Sequence, residues 1–233
     1  MTGEHHHAGE VDLGRVWIGV TAQAWRRHPG RLERLAGRLL RSPGLARALV
    51  VTPSLLLGWL IATGLVLVAG VLATRETGTP YVAICAPGIA AASIAYAYGP
   101  GIDPAWELSR STAVSDRMVL LVRALAVFAL NAAFGLAGSA ASGAATAVTF
   151  GWLLPMTAMC ALALAAATLA RSANVGMAAG VAAWLIAILS GQAGAGRLSA
   201  AVTDSVLIAP YLATAVGGAA IVLYAIRTER GTR

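Results

Sequence analysis

The chain contains no lysine and few charges of any kind. Lys and Arg together number 17, all of them Arg, against 10 Asp and Glu, and only 12% of the 233 residues are charged. Soluble domains carry roughly a quarter. Without lysine there can be no GxxxxGK[ST] phosphate loop, so the chain is not itself an ATPase of that kind. Cysteine is equally scarce: Cys85 and Cys160 both fall within apolar runs and read as small buried residues, not as a disulfide framework. Whole stretches lack charge altogether, from Thr77 to Ile102, from Ala124 to Ala170 and from Ser172 to Gly196. Such runs exclude a soluble globular domain. Their lack of period-2 alternation excludes a membrane β-barrel.

What is present is hydrophobic, at 58% of all residues. A spanning helix needs about 20 apolar residues at 1.5 Å each, and lipid offers a bare backbone no hydrogen bonds, so each run must be helical. Six spans follow: Ser54–Ala73, Tyr81–Tyr98, Met118–Gly138, Val148–Ala170, a short fifth at Val175–Ser190, and Val206–Ile226. Gly135, Gly138, Ser139, Ser142 and Gly143 mark the turn that divides the longest neutral run. No cleavable signal peptide is expected at the polar start of the chain. The His5-His6-His7 tract reads as a flexible terminal segment with no metal site.

Before the spans, two short stripes show helical spacing. Leu13, Val16, Trp17, Val20 and Ala24 form the first, and Leu32, Leu35, Ala36, Leu39 and Leu40 the second, with Arg on the other faces. Basic amphipathic helices of this kind lie in the headgroup layer. The predicted fold class is therefore all-α: a polytopic membrane protein with six transmembrane helices over 46–233, preceded by cytoplasmic or interfacial amphipathic helices over 1–45. The net charge of +7 sits outside the spans, where membrane topology accounts for it without nucleic acid. Arg15 through Arg47, Arg110, Arg117, Arg123, Arg171, Arg227, Arg230 and Arg233 fall on one side, and only Arg75 and Arg197 on the other. The positive-inside rule then places both termini in the cytoplasm.

Ionisable groups inside spans are the usual marks of function in a membrane protein. Arg123 lies one turn into the third span and can snorkel to the headgroups. Asn131 is the one strongly polar side chain deep in a span, a contact for a neighbouring helix or for substrate. No Asp, Glu or His falls at mid-span, and no HExxH, GxSxG or carboxylate pair is present, which argues against cation-coupled carriage and intramembrane hydrolysis. Gly176 and Gly180 form a GxxxG that permits close helix packing. Pro87, Pro155 and Pro210 can kink the second, fourth and sixth spans.

The loop after the second span carries the most information. Asp103 can cap a short helix with Pro104 at its first position, and Glu107 suits the helix dipole. Trp106 and Leu108 give that helix an apolar face beside Glu107 and Arg110, either a docking surface for a protein or an interfacial anchor.

The loop and the layout together resemble the membrane (permease) subunit of bacterial type-2 ABC transporters, over roughly residues 30–230. In that family the second-to-third-span loop often reads DPA-x-E-L, then a Ser/Thr-rich turn, then an Arg entering the third span. Here it is Asp103-Pro104-Ala105-Trp106-Glu107-Leu108, then Ser109 to Ser115, then Arg117 and Arg123. The resemblance implies that Asp103–Arg110, including Ser109, is a coupling helix that inserts into a separate ATP-binding subunit. It implies a second permease copy or homologous permease, with ATP and Mg held by the partner and no cofactor in this chain. The activity implied is export of an amphipathic drug, lipid or peptide across the cell membrane. Many members have re-entrant half-helices before the last span, where only Gly191–Ser205 is available here. The rival reading is a membrane-anchored regulatory or scaffold protein without transport activity.

Overall fold

The computed structural model describes residues 14–18, 34, 38, 53–98 and 116–228. The chain divides into two compact units, Met1–Arg47 and Ala48–Arg233. In the first, residues 14–18 are helical and each is exposed, Val16, Trp17 and Ile18 included, and Arg34 and Arg38 are helical and exposed. The rest of both amphipathic stripes lies outside the described residues.

The second unit is all-helical, with no strand among the described residues. Its α-helices run α1 Pro53–Thr77, α2 Tyr81–Ala95, α3 Asp116–Ala141, α4 Thr146–Gly151, α5 Leu153–Ala170, α6 Ala173–Ala195, α7 Ala200–Thr203 and α8 Ile208–Thr228. Single 3₁₀ turns follow α2 at Tyr96–Tyr98 and precede α8 at Ser205–Leu207. Five segments are long and apolar enough to cross a membrane: Trp59–Thr77, Leu120–Ala141, Thr146–Ala170, Ala173–Ala195 and Ser205–Ala225. They fit a multi-pass membrane protein. Helix α2 has 15 residues and falls short of that length on its own.

The fifth span differs from its sequence reading, which stopped it at Ser190. Helix α6 continues through Gly191, Gln192 and Gly194 for 23 residues and stops at Gly196, whose φ of 67° forms a left-handed cap. Its N–H reaches back to the Gln192 carbonyl at 2.9 Å. A non-glycine residue would pay a steric penalty at that φ. The turn after α3 also sits later than the glycine cluster implies. Gly135, Gly138 and Ser139 are inside α3, and the reversal falls at Ser142–Gly143, with Gly143 at φ 75°.

Between α4 and α5 the helix breaks at Trp152, and Pro155 accounts for the break. Proline has no N–H to give the Gly151 carbonyl four residues back, and its ring crowds that carbonyl. The next bond of the ladder, Met156 N–H to the Trp152 carbonyl at 3.0 Å, is intact. Pro210 lies in the first turn of α8, where no such bond is lost. Pro87 stands in the interior of α2.

Alanines fill much of the interior, around buried Trp152, Met156 and Trp184, while many large apolar side chains face outward. Ala83, Ala90, Ala91 and Ala95 of α2 and Ala158, Ala163 and Ala167 of α5 are essentially inaccessible. Leu65 on α1, Leu125 on α3, Ile186 on α6 and Val216 on α8 are each about two-thirds exposed. A soluble fold would not leave so many large apolar side chains uncovered. In lipid, branched side chains need no covering, and close packing of small residues brings helices together. Helix α2 packs against α1, α3, α5 and α6, and α5 against α2, α6 and α8. The Thr146–Ala170 span is 56% buried, against 22% or less for the other four. Thus α2 and α5 form the centre and the remaining long helices surround them.

Candidate functional site

The segment singled out in the sequence, Asp103, Pro104, Ala105, Trp106, Glu107, Leu108, Ser109 and Arg110, lies outside the described residues. The structure does place the helices that this segment joins. It follows α2 and the Tyr96–Tyr98 turn and leads into α3.

Helix α2 is pinned by two tryptophans. From α6, the Trp184 indole N–H donates to the Ile84 carbonyl at 2.8 Å, with the ring 3% exposed. Pro87 removes the ladder bond to the Ala83 carbonyl, the residue just before Ile84, so the indole bond falls beside the weakened point of the helix. The Trp184 ring approaches closely because residue 88 is glycine: a Cβ there would stand 2.9 Å from the ring's Cδ1. From α1, the Trp59 indole N–H donates to the Ser93 hydroxyl at 2.6 Å, and that hydroxyl donates to the Ile89 carbonyl at 2.6 Å. Beyond α2, the Tyr96 hydroxyl donates to Asn174 Oδ1 at 3.3 Å, in the first turn of α6. Neither indole bond was anticipated from the sequence. The available signal was a donor-only side chain in each of two apolar spans, which must find an acceptor when buried.

Asn131 is 4% exposed, and its amide donates to the Val127 carbonyl of its own helix at 2.8 Å. Gly176 and Gly180 lie where α6 crosses α5. A Cβ on Gly176 would come 2.5 Å from the Ala163 carbonyl oxygen, and one on Gly180 would come 2.8 Å from the Ala163 Cβ and 3.0 Å from the Ala91 Cβ. Gly180 thus sits where α2, α5 and α6 converge. Arg123 is half-buried. Cys160 is buried and Cys85 half-buried, and both are free.

At the opposite end from Tyr96, connecting segments fold into the bundle. Ala200, Ala201 and Val202 of α7 are buried, and the Tyr211 hydroxyl donates to the Ala201 carbonyl at 2.7 Å. The Arg75 guanidinium donates to the Ala141 carbonyl at the end of α3, at 2.6 and 3.2 Å. Nearby, Trp152 is wholly buried, and its ring faces a notch at Gly135, where a Cβ would stand 2.5 Å from Cη2. Among the described residues its indole N–H finds no acceptor and the buried Ser139 hydroxyl no partner. An unsatisfied buried donor costs about 1–3 kcal/mol.

In comparisons with known proteins, no protein-family model, curated protein or solved structure matches this chain.

Proposed function

We propose that this chain is the permease subunit of an ATP-driven exporter of the type-2 ABC kind. It moves an amphipathic substrate across the bacterial cytoplasmic membrane. Hydrolysis takes place in a separate ATP-binding subunit that holds ATP and Mg, and a second copy or a homologous permease completes the membrane part. One observation carries the reading: the DPAWEL-containing segment is spliced directly between α2, at the centre of the bundle, and α3. A force applied there would reach α1, α3, α5 and α6 through a single helix. That is the connectivity a subunit without nucleotide-binding residues needs in order to be driven from the cytoplasm.

In this reading α2 is the sixth crossing. Fifteen helical residues rise about 22 Å, and the 3₁₀ turn adds about 6 Å, close to a hydrocarbon core of about 30 Å. Six crossings keep both termini on the cytoplasmic side, and the basic N-terminal segment then lies at the anionic inner surface.

The test is co-purification. The full chain, extracted in detergent, captures an ATP-binding cassette subunit. Trp106→Ala removes the apolar anchor and weakens that capture about 30-fold, the equivalent of about 2 kcal/mol, while membrane abundance stays normal. Glu107→Arg weakens it further if the partner surface is basic. Capture and export equal to the parent in both variants would reduce the segment to a simple connection.

A further inference from the structure

At the end of the bundle that carries α7, the α1–α2 turn and the α6–α7 turn bound a cleft of about 350 Å³. Thr79, Tyr81, Gln192, Arg197 and Ser199 line it, and no carboxylate does. Its formal charge is therefore positive and comes from Arg197 alone. Among the described residues, none of these five side chains has a hydrogen-bond or ion-pair partner. Ser199 is the clearest case. It stands at the N-cap of α7, yet its hydroxyl caps no backbone N–H there. Arg75, the other arginine at this end, is committed to the Ala141 carbonyl.

The depth of the cleft follows from the helices. The apolar segment of α1 ends at Thr77 and that of α6 at Ala195. The cleft takes up the chain at the next residues, Gly78 and Gly196, with Gln192 one turn earlier on α6. It therefore lies where hydrocarbon gives way to headgroups, a layer about 5–7 Å deep on each side of the core. Phosphate is the anion of that layer.

The geometry points to a binding site for a phosphate ester, supplied by the headgroup of an anionic phospholipid. The planar fork of Arg197 matches two phosphate oxygens, and the Thr79 and Ser199 hydroxyls and the Gln192 amide are donors for the others. A choline or ethanolamine headgroup would bring a cation that finds no carboxylate in the cleft, whereas a glycerol headgroup brings only hydroxyls. The volume lies near the lower bound for small-molecule pockets, about 300 Å³, and so suits one headgroup without its acyl chains. Such a site requires only that the helices span a bilayer, whatever the chain transports and whichever leaflet the cleft meets.

The experiment is amide hydrogen exchange on the full chain in phosphatidylcholine nanodiscs, titrated with phosphatidylglycerol. Added phosphatidylglycerol should slow exchange in residues 78–81 and 196–199. Arg197→Gln should weaken that response about tenfold, as expected for loss of a charge-assisted contact. Arg227→Gln removes an equal charge from the last turn of α8 and should leave the response as in the parent. Ser199→Ala gives up no cap and should weaken it by a smaller factor; it decides the matter if Arg197→Gln fails to insert. Equal exchange with and without phosphatidylglycerol, or an equal response in the parent and both cleft variants, overturns the site. Protection by inorganic phosphate in phosphatidylcholine discs overturns the lipid assignment in favour of a soluble phosphate ester.

Discussion

At the residue scale, the glycines show how this bundle uses absence of volume. Gly217 and Gly218 are neighbours on α8 with opposite surroundings. A Cβ on Gly217 meets nothing within 4 Å, whereas one on Gly218 would lie 2.8 Å from the Ala161 backbone carbonyl. Gly217→Ala should therefore be neutral or stabilising by up to about 1 kcal/mol through helix propensity. Gly218→Ala should cost about 1–3 kcal/mol, because backbone cannot yield as a side chain would. Gly176→Ala belongs with Gly218→Ala, since it too confronts a carbonyl oxygen. Thermal denaturation midpoints in detergent should rank Gly217→Ala at or above the parent and the other two below it; equal midpoints for all three would mean that the α5 contacts are looser than described. Trp184→Phe tests the indole bond to Ile84. It should lower the midpoint by the equivalent of about 1 kcal/mol for the lost hydrogen bond, besides any packing loss.

At the scale of the element, helix positions were largely legible because lipid makes long uncharged runs unambiguous. Helices α1, α3 and α8 lie within a few residues of the runs read from the sequence. Two features were not legible. The glycine-rich tail of α6 looked like the end of a helix, but glycine is tolerated within a helix in a lipid-embedded bundle, and the stop comes only where left-handed backbone is adopted at Gly196. The place of the interruption, Trp152, was hidden because Pro155 acts on a residue four places earlier; the proline read as a kink inside the fourth span does interrupt it, between α4 and α5, within the single Thr146–Ala170 segment. The centrality of α2 was hidden too: an alanine-rich run looks the same whether lipid or other helices surround it. Restoring the missing donor tests the cause of the break. With Pro155→Ala, the new amide can reach the Gly151 carbonyl, and hydrogen exchange measured in nanodiscs should show that amide protected. Rapid exchange there would mean that burial of the Trp152 ring sets the break, with the proline only accommodated.

At the scale of the whole molecule, the candidate site was visible in the sequence as a motif, while what the structure adds is its attachment. Asp103–Arg110 was singled out by its residue types, and nothing in those residues indicated that the helix preceding them is the one most enclosed by its neighbours. The proposed function also carries an energetic consequence. No acidic or histidine side chain falls at mid-span in the sequence, so export by the complex should continue when proton and sodium gradients are collapsed and should stop when ATP is withheld, as measured in proteoliposomes containing both subunits. Transport that persists without ATP and ends with the ion gradient would reject the exporter reading.

The proposed function requires that the segment between α2 and α3 face the cytoplasm. Cysteine labelling addresses that directly, in a background with Cys85 and Cys160 replaced by alanine, using a membrane-impermeant maleimide on intact cells. Thr77→Cys, at the exposed end of α1, should label from outside, and Ser109→Cys should label only after the membrane is opened. Labelling of Ser109→Cys in sealed cells, with none at Thr77→Cys, would invert the topology and remove the coupling segment from the side where ATP is found.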